Sequence, residues 1–128
     1  ADMRDAYLCG ANLRDADLSY ADMRYANLRD VDLTCADLIG ANLCDADLRY
    51  ANLSDAKLTN ANLTGADMRD IDLSDADLSD ADLCNADMRD ANLCDAKLCD
   101  ADLRFADLCG ASMMRMTISL GNRVVTLP

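Results

Sequence analysis

The side chains of this sequence that could do chemistry are seven cysteines, 24 aspartates and a handful of tyrosines. Histidine is absent from the 128 residues, so the chain has no Ser-His or Cys-His relay, no imidazole base and no Cys/His zinc site. Most familiar enzyme mechanisms and the commonest metal sites are therefore excluded or disfavoured. We expect a protein without catalytic residues, cofactor or metal.

The acidic residues are all Asp, and they outnumber the 12 basic residues enough to give a net charge of −12. Such a charge repels nucleic acid and anionic membranes and favours partners with a basic surface. Paired carboxylates also serve calcium binding and glycoside hydrolysis. Calcium needs oxygens that converge from a flexible loop, and a glycosidase needs a cleft, so the sequence predicts neither function.

The elements that hold these side chains come from a five-residue repeat. From Ala1 to Gly110 the chain forms 22 units without insertion. The first position is Ala except at Val31 and Ile71, the second is Asp or Asn except at Tyr7, Lys57 and Lys97, the third is Leu or Met, and the fourth and fifth vary. A period of five fits neither a helix nor a strand, so the chain must turn once in every unit. The first and third side chains then point inward, and the units wind into stacked coils. The repeat predicts an all-β solenoid.

The units match A(D/N)LXX and resemble the pentapeptide repeat proteins over residues 1 to about 115. The resemblance implies a right-handed quadrilateral β-helix with four units in each coil, and the length then gives about five to six coils. A 20-residue superperiod is visible independently, because the four arginines of one row are spaced by that number: Arg29, Arg49, Arg69 and Arg89.

The last 13 residues, 116–128, depart from the repeat. Apolar residues flank a Gly-Asn turn there, which predicts a cap or tail after a repeat domain at residues 1–115. Ala1 opens directly into the repeat, so we expect an uncapped first coil. Either the natural chain is longer, or a second copy covers this end of the rod in a homodimer.

Three surface features are candidate binding sites. The arginine row runs beside aspartates of the same side, which favours mutual neutralisation over an anion-binding stripe. An acidic edge is expected along two corners of the rod, formed by Asp75, Asp80, Asp95 and Asp100. Exposed apolar groups near the start either cover the neighbouring coil or form a hot spot for a partner: Tyr7, Tyr20, Tyr25 and Ile39.

No two cysteines are 20 residues apart, so none stacks on another in such a winding, and all seven are expected to be free thiols. Unpaired thiols favour a reducing compartment, which predicts a cytoplasmic protein.

Three functions remain open. The first is a non-catalytic protein-binding or scaffold module with a protein partner and no contact with nucleic acid or membrane. The alternative comes from the resemblance: some pentapeptide repeat proteins imitate duplex DNA and act on DNA gyrase, a type II topoisomerase, protecting it from quinolones. A third reading from the same family is a regulator of bacterial signalling proteins.

Overall fold

The computed structural model describes residues 1–120 and 122–128. It is an all-β, right-handed quadrilateral β-helix, which confirms the fold that the repeat and the resemblance imply. Residues at the second position form parallel bridges to the residue 20 further along, from Asp2 with Asp22 to Asn92 with Ser112. We number the coils in steps of 20 from Ala1. Side 1 holds the first five residues of each coil, and sides 2, 3 and 4 follow in chain order.

In a coil with a neighbour on both sides, a unit with Asp or Asn at the second position pairs its five backbone N–H groups in a fixed way, which explains the preference for these residues. Two N–H groups bond to the next coil, one to the preceding coil, and one closes the turn. The N–H of the fourth-position residue has no backbone partner and donates to the side-chain oxygen of the Asp or Asn two residues earlier. In the unit at residues 46–50 the acceptors, in order, are Leu43 O (3.0 Å), Ala26 O (3.0 Å), Asp67 O (2.8 Å), Asp47 Oδ1 (3.3 Å) and Arg69 O (3.1 Å). No donor in such a unit is left unpaired.

The corners of the rod require left-handed backbone. Every fifth-position residue through Arg115 has a positive φ, between 54° and 77°. Asp, Asn and Gly tolerate this conformation best, and they dominate the fifth position. The aromatic residues found there, such as Tyr25 with a φ of 62°, adopt a conformation that bulky side chains rarely take.

The bore is filled by the first- and third-position side chains. From Ala21 to Leu98 all of them are buried, with at most 2% of their surface exposed. At about 1.5–3 kcal/mol for each fully buried Leu or Met, this ladder supplies most of the gross stabilisation. Corresponding residues of the first coil, such as Met3 and Leu8, are only partly buried.

Three short strands close the C-terminal end: β1 at Lys97–Leu98, β2 at Thr117–Leu120 and β3 at Arg123–Thr126. β2 pairs in parallel with β1 and so forms the fourth side of the last coil, and β3 pairs antiparallel with β2. The coil geometry therefore continues past residue 116, where the sequence pattern fades. Leu103, Leu108 and Met113 stay partly exposed, so the tail covers the end of the bore only in part.

Within the two described ranges there is no helix of sufficient length and apolar character to cross a membrane.

Candidate interaction surfaces

The aspartates of the rod fall into two structural classes. Thirteen lie at the second position, on the flat sides, and each accepts the N–H of the fourth-position residue of its own unit. The other 11 lie at the fifth position, on the corners. One carboxylate oxygen of each flat-side aspartate is thus committed to the fold. The corner aspartates are the acids left to face a partner.

The arginine row on side 2 is neutralised along most of its length. Arg69 donates from Nε and Nη2 to the two carboxylate oxygens of Asp67, at 2.8 and 2.6 Å, and its Nε also lies 3.6 Å from Asp87 in the next coil. Arg49 and Arg89 repeat this arrangement. Hydrogen bonds from the arginines lower the pKa of Asp47 and of Asp87. This supports mutual neutralisation, the interpretation favoured by the sequence, for three of the four arginines.

Arg29, the first arginine of the row, differs from the other three. Its unit has Asn27 at the second position, which accepts the backbone N–H of Arg29 at 3.2 Å but carries no charge. Nε of Arg29 is buried and has no hydrogen-bond partner among the described residues. The guanidinium carbon lies 5.9 Å from the centroid of the Tyr50 ring, within the range of a cation–π interaction.

The four aspartates of the predicted acidic edge lie on two neighbouring corners, Asp75 and Asp95 on one, Asp80 and Asp100 on the other. Asp95 is not free. Arg115 donates two hydrogen bonds of 2.6 Å to its carboxylate, and these lower the pKa of Asp95. The sequence analysis missed this ion pair, although the 20-residue spacing of the two residues indicates it. The edge is therefore neutralised at one of its four aspartates.

The predicted apolar cluster is divided between two parts of the surface. Tyr20 and Ile39 are joined on side 4 by a backbone hydrogen bond of 2.9 Å, and the Tyr20 ring lies over Gly40 of the next coil. A Cβ at Gly40 would stand only 2.6 Å from that ring. Tyr20 thus covers a neighbouring coil while remaining largely exposed, and Ile39 is half-buried.

Tyr7 and Tyr25 belong to the other part, around side 2 of the first two coils. Tyr7 occupies the second position of side 2, and Tyr25 lies on the corner where that side begins. Tyr50, which the sequence analysis did not select, lies on the corner where side 2 ends, one coil further on. All three are exposed, and they lie on the same side of the rod as Arg29 or at the two corners of that side.

All seven cysteines are free thiols at the surface or half-buried. Burial and a 3.3 Å hydrogen bond to Asp45 raise the pKa of the Cys44 thiol, so this thiol is a poor nucleophile. Over the described part of the rod, no cavity opens and no group of Cys or Asp side chains converges as metal ligands would. What the surface offers is rows of side chains on flat sides and corners.

These features define a repeat β-solenoid that presents side-chain rows. The family model for pentapeptide repeats matches residues 1–34, 36–75 and 76–113, in eight copies, and the chain belongs to this family.

Solved structures of the same family are similar to the chain. The pentapeptide repeat protein Rfr23 from the cyanobacterium Cyanothece 51142 is 27% identical with a TM-score of 0.64, over 71% of this chain and 58% of that one. HetL from the cyanobacterium Nostoc sp. strain PCC 7120 is 29% identical with a TM-score of 0.55, over 91% and 72% of the two chains. A protein of the Arabidopsis thaliana thylakoid lumen is 29% identical with a TM-score of 0.57, over 80% and 68%. No curated protein sequence matches.

Proposed function

We propose that this pentapeptide repeat chain is a non-catalytic protein-binding module. The observation that carries the proposal is the set of exposed tyrosines in the first three coils, held on a rigid frame. Tyr20, Tyr25 and Tyr50 all lie in left-handed backbone, which costs an L-residue about 1–2 kcal/mol, and their rings stay exposed. Tyrosine supplies rigid amphipathic area to protein interfaces, and a partner that buries these rings accounts for their position.

The stacked coils suit this role. Hydrogen bonds join each coil to the next on all four sides, so the spacing between side-chain rows is fixed at about 4.8 Å before a partner arrives. A preformed surface of this kind loses little conformational entropy on binding. HetL, one of the similar structures, is involved in heterocyst differentiation regulation, and a regulatory partner is consistent with our proposal.

A second candidate is a DNA mimic that acts on DNA gyrase or another type II topoisomerase. The observation that favours it is charge density: a net charge of −12 on a rod about 29 Å long is about one charge per 2.4 Å, against about one per 1.7 Å in duplex DNA. Two features oppose it, because the arginine row neutralises side 2 and Arg115 neutralises Asp95. We therefore rank it second.

One comparison separates the two candidates. Two variants are immobilised beside the parent chain. The tyrosine variant combines Tyr7→Ala and Tyr25→Ala, and the asparagine variant combines Asp75→Asn, Asp80→Asn and Asp100→Asn. Proteins retained from a lysate are quantified, and inhibition of gyrase supercoiling is measured in parallel. The binding module predicts a partner that is lost with the tyrosine variant and retained by the asparagine variant.

The DNA mimic predicts the reverse: supercoiling is inhibited by the parent chain and released in the asparagine variant. That result would replace our first proposal by the second. Retention of the same proteins by the parent chain and by both variants would contradict both proposals. Circular dichroism of each variant checks that the β-helix is intact.

A further inference from the structure

Side 2 of the first three coils carries an arginine, Arg29, that makes no ion pair in the described part of the chain. The arginines that follow Arg29 in the row each hold a carboxylate in two hydrogen bonds, whereas Asn27 gives Arg29 no charge. In the described part of the chain no carboxylate lies within ion-pair distance of Arg29. The row therefore ends in a half-buried guanidinium whose Nε is unpaired.

Three tyrosines lie on the same side of the rod as this guanidinium or at the corners of that side. Tyr7, Tyr25 and Tyr50 are 79%, 59% and 52% exposed, and they come from three successive coils. Tyr50 lies beside the guanidinium, 5.9 Å from ring centroid to guanidinium carbon. We call Arg29 and these three tyrosines the Arg29 patch. Tyr and Arg are the residues most enriched in binding hot spots.

We propose that the Arg29 patch binds an extended segment of a partner protein, and that an aspartate or glutamate side chain of that segment pairs with Arg29. The inference rests on the proposed protein-binding function and names the partner's chemistry. A carboxylate fits better than a phosphate. Asp30 follows Arg29 in the chain and Asp47 lies in the next coil, and these two carboxylates repel a dianion more strongly than a monoanion.

The dimensions suit an extended segment. The patch spans two coil-to-coil steps, about 10 Å at about 4.8 Å per step, which matches about three residues of extended chain at about 3.3 Å each. The acid then sits at the centre with an apolar or aromatic residue on each side. A local acidic partner is the opposite of the basic partner that the net charge of −12 favours for the rod as a whole.

The test is a selection of peptides on the 128-residue chain. A phage-displayed library of random seven-residue segments is selected against the immobilised protein, and the selected segments are synthesised with blocked ends. Binding is measured by fluorescence anisotropy to the parent chain, to Arg29→Gln and to Arg69→Gln. Arg69→Gln is the matched control, because it makes the same charge change at a paired arginine of the same side.

We expect the selected segments to contain Asp or Glu, and Arg29→Gln to weaken their binding about tenfold or more, whereas Arg69→Gln changes it less than about twofold. Replacing the acid of the peptide by its amide should cost about the same factor on the parent chain and nothing further on Arg29→Gln. That double-mutant cycle identifies the pair directly.

Three results would overturn the inference: segments without an acid, equal binding to Arg29→Gln, or no selected segment. Segments that lack an acid but need Tyr7 and Tyr25 would leave the protein-binding function standing. If no segment is selected, the capture of folded partners described above still decides that function, since it uses no peptide.

Discussion

The flat sides and the corners of the rod use the same amino acid in opposite ways. On the sides, Asp77 accepts the backbone N–H of Ser79 at 3.1 Å and its hydroxyl at 2.7 Å, so the carboxylate completes the turn. On the corner of the same unit, Asp80 lies in left-handed backbone with a φ of 59° and closes no turn with its side chain. Position within the repeat, and not residue type, decides whether a carboxylate accepts the backbone N–H that completes a turn.

The largest expected difference in stability is between substitutions at buried inward positions and substitutions at outward positions. Leu48 is fully buried, and Leu48→Asp places a charge in the bore without a partner, so we expect the rod to unfold. Ser54→Asp, at an outward position, should keep the parent's thermal midpoint within a few degrees. Circular dichroism during thermal unfolding measures both. Equal tolerance of the two substitutions would show that the assignment of inward and outward positions is wrong.

Acid should destabilise the rod through the paired aspartates of its flat sides. Arginine hydrogen bonds lower the pKa of Asp47 and Asp87, and that of Asp2 to about 2. A carboxyl whose pKa is lowered by folding stabilises the folded state at pH values above its unfolded pKa. This stabilisation is lost as the pH falls through the folded value.

We therefore expect the free energy of unfolding to fall between about pH 4 and pH 2. Urea unfolding at a series of pH values measures the slope. In Asp47→Asn with Asp87→Asn the slope should be smaller than in the parent chain. An unchanged slope in that double variant would show that the side 2 ion pairs do not contribute.

The corners can be tested at their glycines. Gly40 has a φ of +64° and lies under the Tyr20 ring, so Gly40→Ala combines left-handed strain with a clash. We expect it to cost about 2 kcal/mol. Gly10 is the matched control, because it has a φ of +69° but no atom within 4 Å of an added Cβ, and strain alone should cost about 1 kcal/mol.

Chemical denaturation of the two alanine variants measures this difference. In Gly40→Ala with Tyr20→Ala the additional cost should disappear. Equal costs for Gly40→Ala and Gly10→Ala would mean that the ring moves aside freely and does not cover the coil.

The smallest expected effect compares the two aspartates of one unit. Asp77→Ala removes two hydrogen bonds that complete a turn and should lower the free energy of unfolding by about 1–2 kcal/mol. Asp80→Ala removes an exposed corner charge and should change it by less than about 0.5 kcal/mol. Urea unfolding of both variants at neutral pH is the measurement. A larger loss for Asp80→Ala would reverse the distinction between sides and corners.

The architecture could be predicted from the sequence because each position of the repeat has a fixed structural role. Ala and Leu at fixed positions indicate an inward row, and the 20-residue spacing of the arginines indicates four sides to a coil. The role of the second position could have been read as well, since Asp and Asn are the residues that bond to a backbone N–H two residues later. The homodimer and the cytoplasmic location stay predictions.

The contacts that sequence analysis missed depend on side-chain direction between coils. Asp95 and Arg115 meet across one coil, and Arg29 meets Tyr50 from 21 residues away. The 20-residue spacing indicates the first contact, but the second joins neighbouring positions of two coils, and the repeat pattern does not say which neighbour the long Arg29 side chain meets. The repeat residues end at residue 116, but the coil geometry continues beyond it. β2 pairs with β1 there without the repeat residues, so the sequence pattern does not mark the end of the coil.

The pairing of each second-position residue with the one 20 positions later determines how such a rod can lengthen by duplication. Copying a 20-residue block inserts a complete coil, so each row stays in line and Asp67 still follows Asp47 or its copy. Copying a single five-residue unit keeps the repeat consensus intact but rotates everything beyond it by a quarter turn. The arginines beyond the insertion, each with the aspartate of its own unit, would then stack on a different side from those before it. Duplications and deletions that preserve this surface must therefore come in multiples of four units.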